Sequence, residues 1–424
     1  MSLHSRRLSL RSRQLLLSRA MNPVETHAKL RLMIVAGEAS GDAHAAALVR
    51  ALGESAPGMN VEFFGATGRE MRAAGVESIV ATDDLAITGL VEIGGALKQF
   101  WRAYQTLKRA GVERAPDAVI LVDWPDFNLR LARFFCRRGL RVVYYISPQL
   151  WAWREHRTRN IRRDVDLLLA ILPFEPQWYA ARGITHVEFT GHPLTGEVRA
   201  RYDRAEFCRR HALDPSRPLV ALLPGSRRKE LLRILPHMIE AARELHAARP
   251  DTQFVVALAP NRSTEEAQAI IDATLGSNHA ALSNALRVTR HETREALGAA
   301  DAAAVASGTA TLEAALLSTP LVVVYKESRL NWHTLGRLIN TEHFGLVNLV
   351  AGERLAPELM QNDFTGATLA AELSKLLAAD HNAATRARLR AATQGLGAGG
   401  ASKRAAEAIL RVMTKWKNEG GTHT

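Results

Sequence analysis

One unit recurs along most of this 424-residue chain: a short, continuously apolar run, a loop that contains glycine, and an amphipathic helical pattern. The runs at Ala118–Val122, Leu219–Leu223 and Ala302–Ala306 are examples. Continuous rather than alternating apolar runs are typical of strands that are buried on both faces of a parallel sheet. Because crossovers between parallel strands are right-handed, the pattern predicts a doubly wound α/β fold.

The repeating pattern is interrupted once, near residues 191–193, and then resumes. The chain also exceeds the length that one ordinary core accommodates, so we predict two Rossmann-like parallel-sheet domains. Ligands bind at the carboxyl ends of strands in such sheets, and two sheets that face each other form a central cleft. The predicted boundaries are a basic disordered extension at 1–27, a first domain at 28–192, a second domain at 193–365, and helices at 366–424 that pack back across the domains or against a second copy.

The formal net charge is +12, which admits nucleic acid, an anionic membrane surface or phosphorylated substrates as partners. No nucleic-acid-binding motif stands out, so we expect no nucleic acid partner. Cys136 and Cys208 lie far apart without metal-ligand spacing, which indicates free thiols in a reducing compartment.

The first 22 residues contain five arginines, no acid, and no apolar run long enough for a secretory signal. We interpret them as a disordered extension or a misassigned start before Met21, with a mitochondrial-type presequence as the alternative. No stretch of about 20 apolar residues suggests a membrane span.

The loop after the first strand combines two glycines with polar side chains. Glycine lets the backbone turn tightly and approach a ligand, and the following helix offers unpaired N–H groups. Ser40 or Asp42 could instead cap that helix. The loop does not match the dinucleotide pattern GxGxxG. The candidate residues are Gly37, Glu38, Ser40, Gly41 and Asp42.

Asp123 directly follows the apolar run Ala118–Val122, at the carboxyl edge of the predicted sheet. A carboxylate is costly there unless it meets water, a partner or a substrate, so we expect Asp123 to be functional. We predict that Asp126, three residues later, is a helix N-cap.

In the second half, Gly225, Ser226 and Arg227 are followed by the cations Arg228 and Lys229 at a predicted helix start. Cations destabilise that end of a helix unless an anion is bound, so the pattern predicts a phosphate site. Arg227 can grip phosphate with two hydrogen bonds, whereas Arg228 and Lys229 are interpreted as solvated.

Ser307, Gly308 and Thr309 form another small-residue loop that opens a helix and could cradle a diphosphate. Glu313, one turn further, could reach a ribose diol or form an ion pair. Residues 85–104 interleave large apolar groups with cations, which suits either a helix on an anionic leaflet or an ordinary core helix. The candidate acyl or membrane contacts are Val91, Ile93, Leu97, Phe100 and Trp101.

Eight segments together resemble the lipid-A-disaccharide synthase family. They occur in family order from about residue 30 onward, and the tryptophan-containing block is highly specific. The segments are VAGEASGD at 35–42, VDWPDFN at 122–128, YISPQLWAWR at 145–154, LPFE at 172–175, GHP at 191–193, LPGSR at 223–227, SGTATLE at 307–313 and NL at 348–349.

The resemblance implies a GT-B fold and an inverting transfer of 2,3-diacylglucosamine from UDP to 2,3-diacylglucosamine 1-phosphate. The product is the β-1,6 disaccharide of lipid A, a component of Gram-negative lipopolysaccharide. It also implies no metal or other cofactor, peripheral association with the cytoplasmic leaflet of the inner membrane, and a homodimer through C-terminal elements. The first domain is then the acceptor and lipid domain, and the second binds the UDP-sugar.

By resemblance, Asp123 matches the essential aspartate and is the expected general base, with Glu38 and Asp42 as rivals. Asn348 joins the nucleotide-side residues, although Val347 replaces the proline that usually precedes it. The alternatives are another GT-B enzyme that uses UDP-N-acetylglucosamine, either a peptidoglycan glycosyltransferase or a 2-epimerase, and a non-catalytic anion-binding scaffold.

Overall fold

The structure is a computed structural model. It describes residues 29–83, 93–152, 154–276, 282–327 and 343–420. The predicted extension at 1–27 and the candidate contact Val91 lie outside these residues.

The first domain is built on a seven-stranded, fully parallel sheet with the order β3-β2-β1-β4-β5-β6-β7. Its elements are β1 (Lys29–Ala36), α1 (Ala39–Ser55), β2 (Asn60–Thr67), α2 (Arg69–Ala73), β3 (Glu77–Ala81), α3 (Ile93–Arg114), β4 (Ala118–Val122), α4 (Pro125–Cys136), β5 (Val142–Tyr145), α5 (Thr158–Asp164), β6 (Leu167–Ala170), α6 (Glu175–Ala180) and β7 (Val187–Phe189).

The second domain repeats the arrangement with six parallel strands in the order β10-β9-β8-β11-β12-β13. Its elements are α7 (Arg204–Arg210), β8 (Leu219–Leu223), α8 (Arg228–Ala248), β9 (Gln253–Leu258), α9 (Thr264–Leu275), β10 (Leu286–Arg290), α10 (Thr293–Ala299), β11 (Ala302–Ala306), α11 (Thr309–Leu316), β12 (Leu321–Tyr325), α12 (Leu346–Ala351) and β13 (Glu358–Met360). The predicted α/β class with two Rossmann-like parallel sheets is therefore confirmed.

The central strands of both sheets are buried on both faces, which explains their continuous apolar sequences. Every residue of β4, β8 and β11 is buried. In each sheet the chain first builds strands outward on one side, then crosses back to the other. That reversal falls between β1 and β4 in the first sheet and between β8 and β11 in the second, and ligands bind at such switch points.

The C-terminal helices α13 (Gly366–Leu376), α14 (Ala379–Gln394) and α15 (Ala401–Gly420) divide between the two domains. Leu369 and Leu373 of α13 pack in the second core, whereas Ala405 and Ile409 of α15 pack in the first core, with residues of α1 and β1. The chain therefore returns to its first domain after completing the second.

A separate apolar cluster joins the domains. Leu172 of the first domain packs with Leu194 of the connecting segment, Leu312 of α11 and Leu396 beyond α14. Trp151 and Phe174 pack against this cluster from the first domain, which fixes the tryptophan-containing block at the junction. Within the described residues, no helix is long and apolar enough to cross a bilayer.

Candidate functional site

The loops predicted to carry chemistry follow the four strands that flank the two switch points. Gly37 follows β1 and Asp123 follows β4, whereas Gly225 follows β8 and Ser307 follows β11. Each pair of strands is adjacent and parallel, so the two loops of each pair emerge side by side.

Asp123 lies in an unusual stretch of backbone at the first switch point. Asp123 and Trp124 have φ values of 49° and 50°, in the left-handed region that non-glycine residues rarely adopt. Two donors hold the Asp123 carbonyl: the Tyr144 hydroxyl at 2.6 Å and the Asn128 amide at 2.8 Å. Such strain persists only where the surroundings impose it, and it collects at functional sites.

The two loops of this switch point fit closely against each other. A Cβ at Gly37 would lie 2.0 Å from the Trp124 indole, and one at Gly41 would lie 4.0 Å from the Asp123 Cβ. Gly37 therefore makes room for Trp124, whose ring stacks on Phe127 with a centroid distance of 4.1 Å. Gly37, which was predicted to permit close approach to a ligand, is required for this approach between the loops, whereas a methyl group at Gly41 would make only ordinary contacts.

The Asp123 carboxyl is the electrostatically perturbed group of this loop pair. Burial, and to a smaller extent the neighbouring Glu38 carboxylate, raise its pKa to about 6, while the Trp124 N–H opposes the rise. Glu38 is itself exposed, as is Ser40. Asp123 is therefore the carboxyl of this loop pair whose environment is tuned in the way that functional sites often are.

The Asp42 carboxylate, unlike those of Asp123 and Glu38, is occupied by three backbone N–H groups. This buried carboxylate accepts N–H groups of Gly68, Glu70 and Met71 at 2.8, 2.8 and 3.1 Å and so caps α2. Asp42 therefore caps α2 and not α1, the helix to which it belongs. The N-cap residue of α1 makes no side-chain capping bond. A carboxylate occupied in this way is poorly placed to take a proton from a substrate, which leaves Asp123 and Glu38 as candidate bases.

The prediction that Asp126 is a helix N-cap is wrong. The N-cap of α4 is Trp124, which makes no side-chain capping bond. Asp126 instead accepts hydrogen bonds from the Arg154 and Arg157 guanidinium groups at 2.7 and 2.6 Å. These arginines come from the loop after the neighbouring strand β5, a partnership that sequence spacing does not reveal.

The second switch point opens into a cavity of about 830 Å³. Seven predicted residues line it: Gly225, Ser226, Arg227, Ser307, Gly308, Thr309 and Glu313. Arginines that the sequence analysis missed also line it: Arg199 and Arg201 in the segment between the domains, and Arg294 on α10. The concentration of cations at 199–204 in that segment was the available signal.

The α8 N-terminus is not the open anion site that the sequence suggested. One carboxylate oxygen of Glu230 accepts the N–H groups of Ser226 and Arg227 at 2.9 and 3.1 Å, and the other lies 3.3 Å from the Arg227 guanidinium. Glu230 thus occupies the amides that a phosphate would use. The Arg227 side chain, 80% exposed, remains available to turn toward a ligand.

The α11 N-terminus has the properties that were expected of α8. Gly308 is its N-cap, with a φ of 150°, and no side chain caps the helix. Gly308 and Thr309 are exposed to the cavity, and the Ser307 hydroxyl beside them donates to the Phe344 carbonyl at 3.0 Å. First-turn amides that face a cavity and lack a side-chain cap form an anion site.

Glu313 lines the cavity, whereas Asn348 is buried within the second domain. Glu313 lines the cavity and pairs with Arg294 at 2.9 Å, so the ion-pair interpretation holds for this side chain. Asn348 is fully buried and bonds to the Ala356 backbone and to Glu358. Glu358 in turn accepts the N–H groups of Phe344 and Gly345, so Asn348 holds the segment that carries the Ser307 partner.

The candidate membrane segment forms much of α3. Phe100 contacts Trp124 and Phe127 with centroid distances of 5.8 and 6.4 Å, so this helix abuts the Asp123 loop. Trp101 is 62% exposed and stacks on Tyr104. The side chains of the other candidate contacts, Val91, Ile93 and Leu97, lie outside the described residues.

Tyr145 of the first sheet lies within electrostatic range of Glu197, a residue that lines the cavity. Burial raises the pKa of Tyr145, in β5 of the first sheet, to about 12, and the Glu197 carboxylate that lines the cavity contributes to that rise. Among the described residues, no group of three or more metal-ligating side chains of the His, Cys, Asp and Glu types comes together.

Comparisons with known proteins agree with this architecture. The profile of the family described as Lipid-A-disaccharide synthetase matches residues 32–412. A lipid-A-disaccharide synthase from Geobacter metallireducens is 41% identical over 386 residues, covering 91% of this chain and 98% of that protein. One from Trichlorobacter lovleyi is 42% identical over 384 residues, covering 90% and 97%.

Solved structures show the fold alone, since their sequence identities are low. The UDP-GlcNAc 2-epimerase from Neisseria meningitidis, bound to UDP-GlcNAc, superposes with a TM-score of 0.60 at 12% identity, over 90% of this chain and 100% of that one. The calicheamicin glycosyltransferase CalG4 gives 0.55 at 16% identity, over 91% and 99%. These matches confirm the GT-B fold without favouring an epimerase, and the sequence matches show that the chain belongs to the lipid-A-disaccharide synthase family.

Proposed function

We propose that this chain transfers 2,3-diacylglucosamine from its UDP derivative to the 6-hydroxyl of 2,3-diacylglucosamine 1-phosphate, with inversion. The observation that carries the proposal is the pairing of two unlike sites. One switch point carries a half-buried carboxyl whose pKa is raised to about 6, and the other carries a helix N-terminus without a side-chain cap that faces a large cavity.

The second domain supplies the donor side. The α11 N-terminus and the Arg227 guanidinium would hold the diphosphate and stabilise its charge as the bond to the sugar breaks. Arg201 and Arg294 are already paired, with Glu295 and Glu313. Arg199 also lines the cavity, and the 80% exposed Arg227 side chain can exchange its 3.3 Å contact to Glu230 for the diphosphate.

The first domain supplies the base. Inversion by a single displacement needs a base on the face of the sugar opposite the leaving group. With a pKa near 6, Asp123 is largely ionised at neutral pH yet basic enough to accept a proton, the balance that general base catalysis favours. The Tyr144 and Asn128 bonds to its carbonyl would keep the carboxylate directed at the acceptor.

The membrane role falls on α3. Trp101 is exposed between the exposed cations Lys98 and Arg102, a combination suited to an anionic leaflet. The helix also touches the Asp123 loop through Phe100, so acyl chains held along α3 would lie near the acceptor site. Peripheral association with the cytoplasmic face of the inner membrane, and a homodimer formed through the C-terminal helices, are part of this proposal.

The direct test incubates the purified protein with both diacylglucosamine substrates and follows disaccharide and UDP by mass spectrometry. Formation of both products at equal rates supports the proposal. A protein that binds UDP without transfer, or that epimerises UDP-N-acetylglucosamine, contradicts it.

Arg227→Gln tests the donor side. Loss of a charge-assisted contact to diphosphate should weaken UDP binding by about 10- to 100-fold in a calorimetric titration. Arg228→Gln is the matched control, because the neighbouring Arg228 pairs with Glu266 and does not line the cavity. Equal weakening by both substitutions would argue for a nonspecific charge effect.

A further inference from the structure

The tryptophan-containing block at 145–154 ends in an arginine that the catalytic scheme does not use. The block begins where β5 ends: Ile146 has a φ of 66°, a rare value for a β-branched residue, and it turns the chain across the sheet edge. Since β5 pairs with β4, this loop emerges beside the loop that carries Asp123.

Buried groups anchor the block firmly. The Ser147 hydroxyl lies 3.0 Å from the Tyr179 hydroxyl, which also donates to the Pro148 carbonyl at 3.1 Å. The Trp151 indole donates to the fully buried Glu175 carboxylate at 3.2 Å. These bonds hold the loop, from Ser147 to Trp151, against α6.

Two guanidinium groups converge on a single oxygen at the end of this loop. Arg154 and Arg157 donate to the same Asp126 Oδ1, at 2.7 and 2.6 Å. Partial burial raises the pKa of Asp126, but the hydrogen bonds from Arg157 and the charges of both arginines outweigh burial and hold the pKa below its ordinary value. One carboxylate oxygen thus accepts hydrogen bonds from two guanidinium groups.

The arginine pair lies close to the proposed base. Burial raises the pKa of Tyr144 far above its ordinary range, the Asp123 and Asp126 charges add to that rise, and Arg157 opposes it. The Tyr144 hydroxyl also donates to the Asp123 carbonyl. Tyr144 therefore contacts Asp123 directly and lies within electrostatic range of Asp126 and Arg157. Asp126 follows Asp123 by three positions, which limits their Cα separation to about 11 Å.

Stability alone does not explain the arrangement. Asp126 is 61% exposed, and ion pairs in such surroundings contribute little to folding. Arg154 adopts a φ of 62°, which is unfavourable for a side chain of its size. A strained, positively charged and solvent-open group beside the catalytic loop is the arrangement expected of a ligand site.

We propose that Arg154 and Arg157 form the subsite for the phosphomonoester of the acceptor, in which the Asp126 carboxylate holds the place of phosphate oxygens. The inference rests on the proposed function, because it presumes a phosphorylated sugar acceptor whose hydroxyl reaches Asp123. Two planar guanidinium groups suit a phosphate dianion better than one carboxylate, so the subsite selects acceptors that carry the phosphate.

The test compares two acceptors in nonionic micelles without phospholipid: diacylglucosamine 1-phosphate and diacylglucosamine. Wild type should show a lower KM for the phosphorylated acceptor. Arg154→Gln and Arg157→Gln should each raise that KM by about 10- to 100-fold while leaving the KM for the dephosphorylated acceptor and the UDP-induced thermal shift unchanged. Arg159→Gln is the matched control, because Arg159 is exposed nearby and donates to the His156 carbonyl rather than to Asp126.

The outcomes separate the inference from the function on which it rests. Absence of transfer by wild type defeats the proposed function itself. Transfer by wild type with equal penalties on both acceptors in the two variants overturns the subsite. A further arm measures sedimentation with phosphatidylglycerol vesicles: variants that lose vesicle binding but still discriminate between the acceptors would assign the arginines to lipid headgroups and likewise overturn it.

Discussion

Asp123→Asn should stabilise the protein while nearly abolishing turnover. Folding raises the pKa of this carboxyl from 3.8 to about 6. Because each pH unit of that difference corresponds to about 1.4 kcal/mol, the ionised carboxylate costs the native state up to about 3 kcal/mol. The amide removes that cost and can still accept the Trp124 N–H that the carboxylate accepts.

The sign of the pH dependence follows from the direction of the shift. A carboxyl whose pKa is raised by folding binds its proton more readily in the native state than in the unfolded chain. The cost is therefore fully present above pH 6, shrinks as the pH falls from 6 toward 4, and vanishes below that range. The variant should gain unfolding free energy at pH 8 and match wild type near pH 3.5.

Two assays check the prediction. Urea unfolding followed by circular dichroism at both pH values gives the stability difference, and the transfer rate at pH 8 should fall by about a hundred- to ten-thousand-fold. The UDP-induced thermal shift, which reports the other domain, should persist. Turnover close to that of wild type would remove Asp123 from the role of base, and an equal stability difference at the two pH values would show that its pKa is not raised.

Three further changes test the surroundings of Asp123. Glu38→Gln removes a neighbouring negative charge that raises the Asp123 pKa, so the acidic limb of the kcat/KM profile should move from a midpoint near pH 6 to lower pH; an unmoved limb would contradict the coupling. Gly37→Ala places a methyl group 2.0 Å from the Trp124 indole. It should lower the free energy of urea unfolding by about 1–3 kcal/mol and lower kcat, without altering UDP affinity. Wild-type stability and kcat would show that the two loops move apart at little cost. Trp101→Ser should reduce sedimentation with phosphatidylglycerol vesicles, whereas Val112→Ser, 50% exposed three turns along the same face of α3, should not; equal losses would point away from Trp101 as a membrane anchor.

The sequence predicted the architecture because burial controls its pattern. Strands that are covered on both faces must be continuously apolar, so the apolar runs located both sheets. The small residues that follow these runs located the four loops at the switch points. Asp123 was predicted to be functional for the same reason, because a carboxylate directly after a buried strand is costly unless it meets water, a partner or a substrate.

The failures arose where partners come from distant parts of the chain. The capping role of Asp42 depends on hydrogen-bond donors that begin at Gly68, 26 residues away. The partners of Asp126 are 28 and 31 residues away. The choice between the two helix N-termini was different, because Glu230 lies three residues after Arg227, the spacing at which a glutamate side chain can reach back to the N–H at its own helix start.

The arrangement of aromatic rings links membrane contact to catalysis in the first domain. The Trp124 indole fills the space over Gly37 and stacks on Phe127, and both rings contact Phe100 of α3. Tyr104 meets Phe127 edge-on at 5.9 Å and stacks with exposed Trp101 at the same distance. One aromatic layer therefore extends from the solvent-facing side of the helix to the backbone that orients Asp123. Because the rings nearest Asp123 are buried or partly buried and Trp101 is not, substitutions at the outer end should alter lipid affinity, whereas those at the inner end should alter turnover.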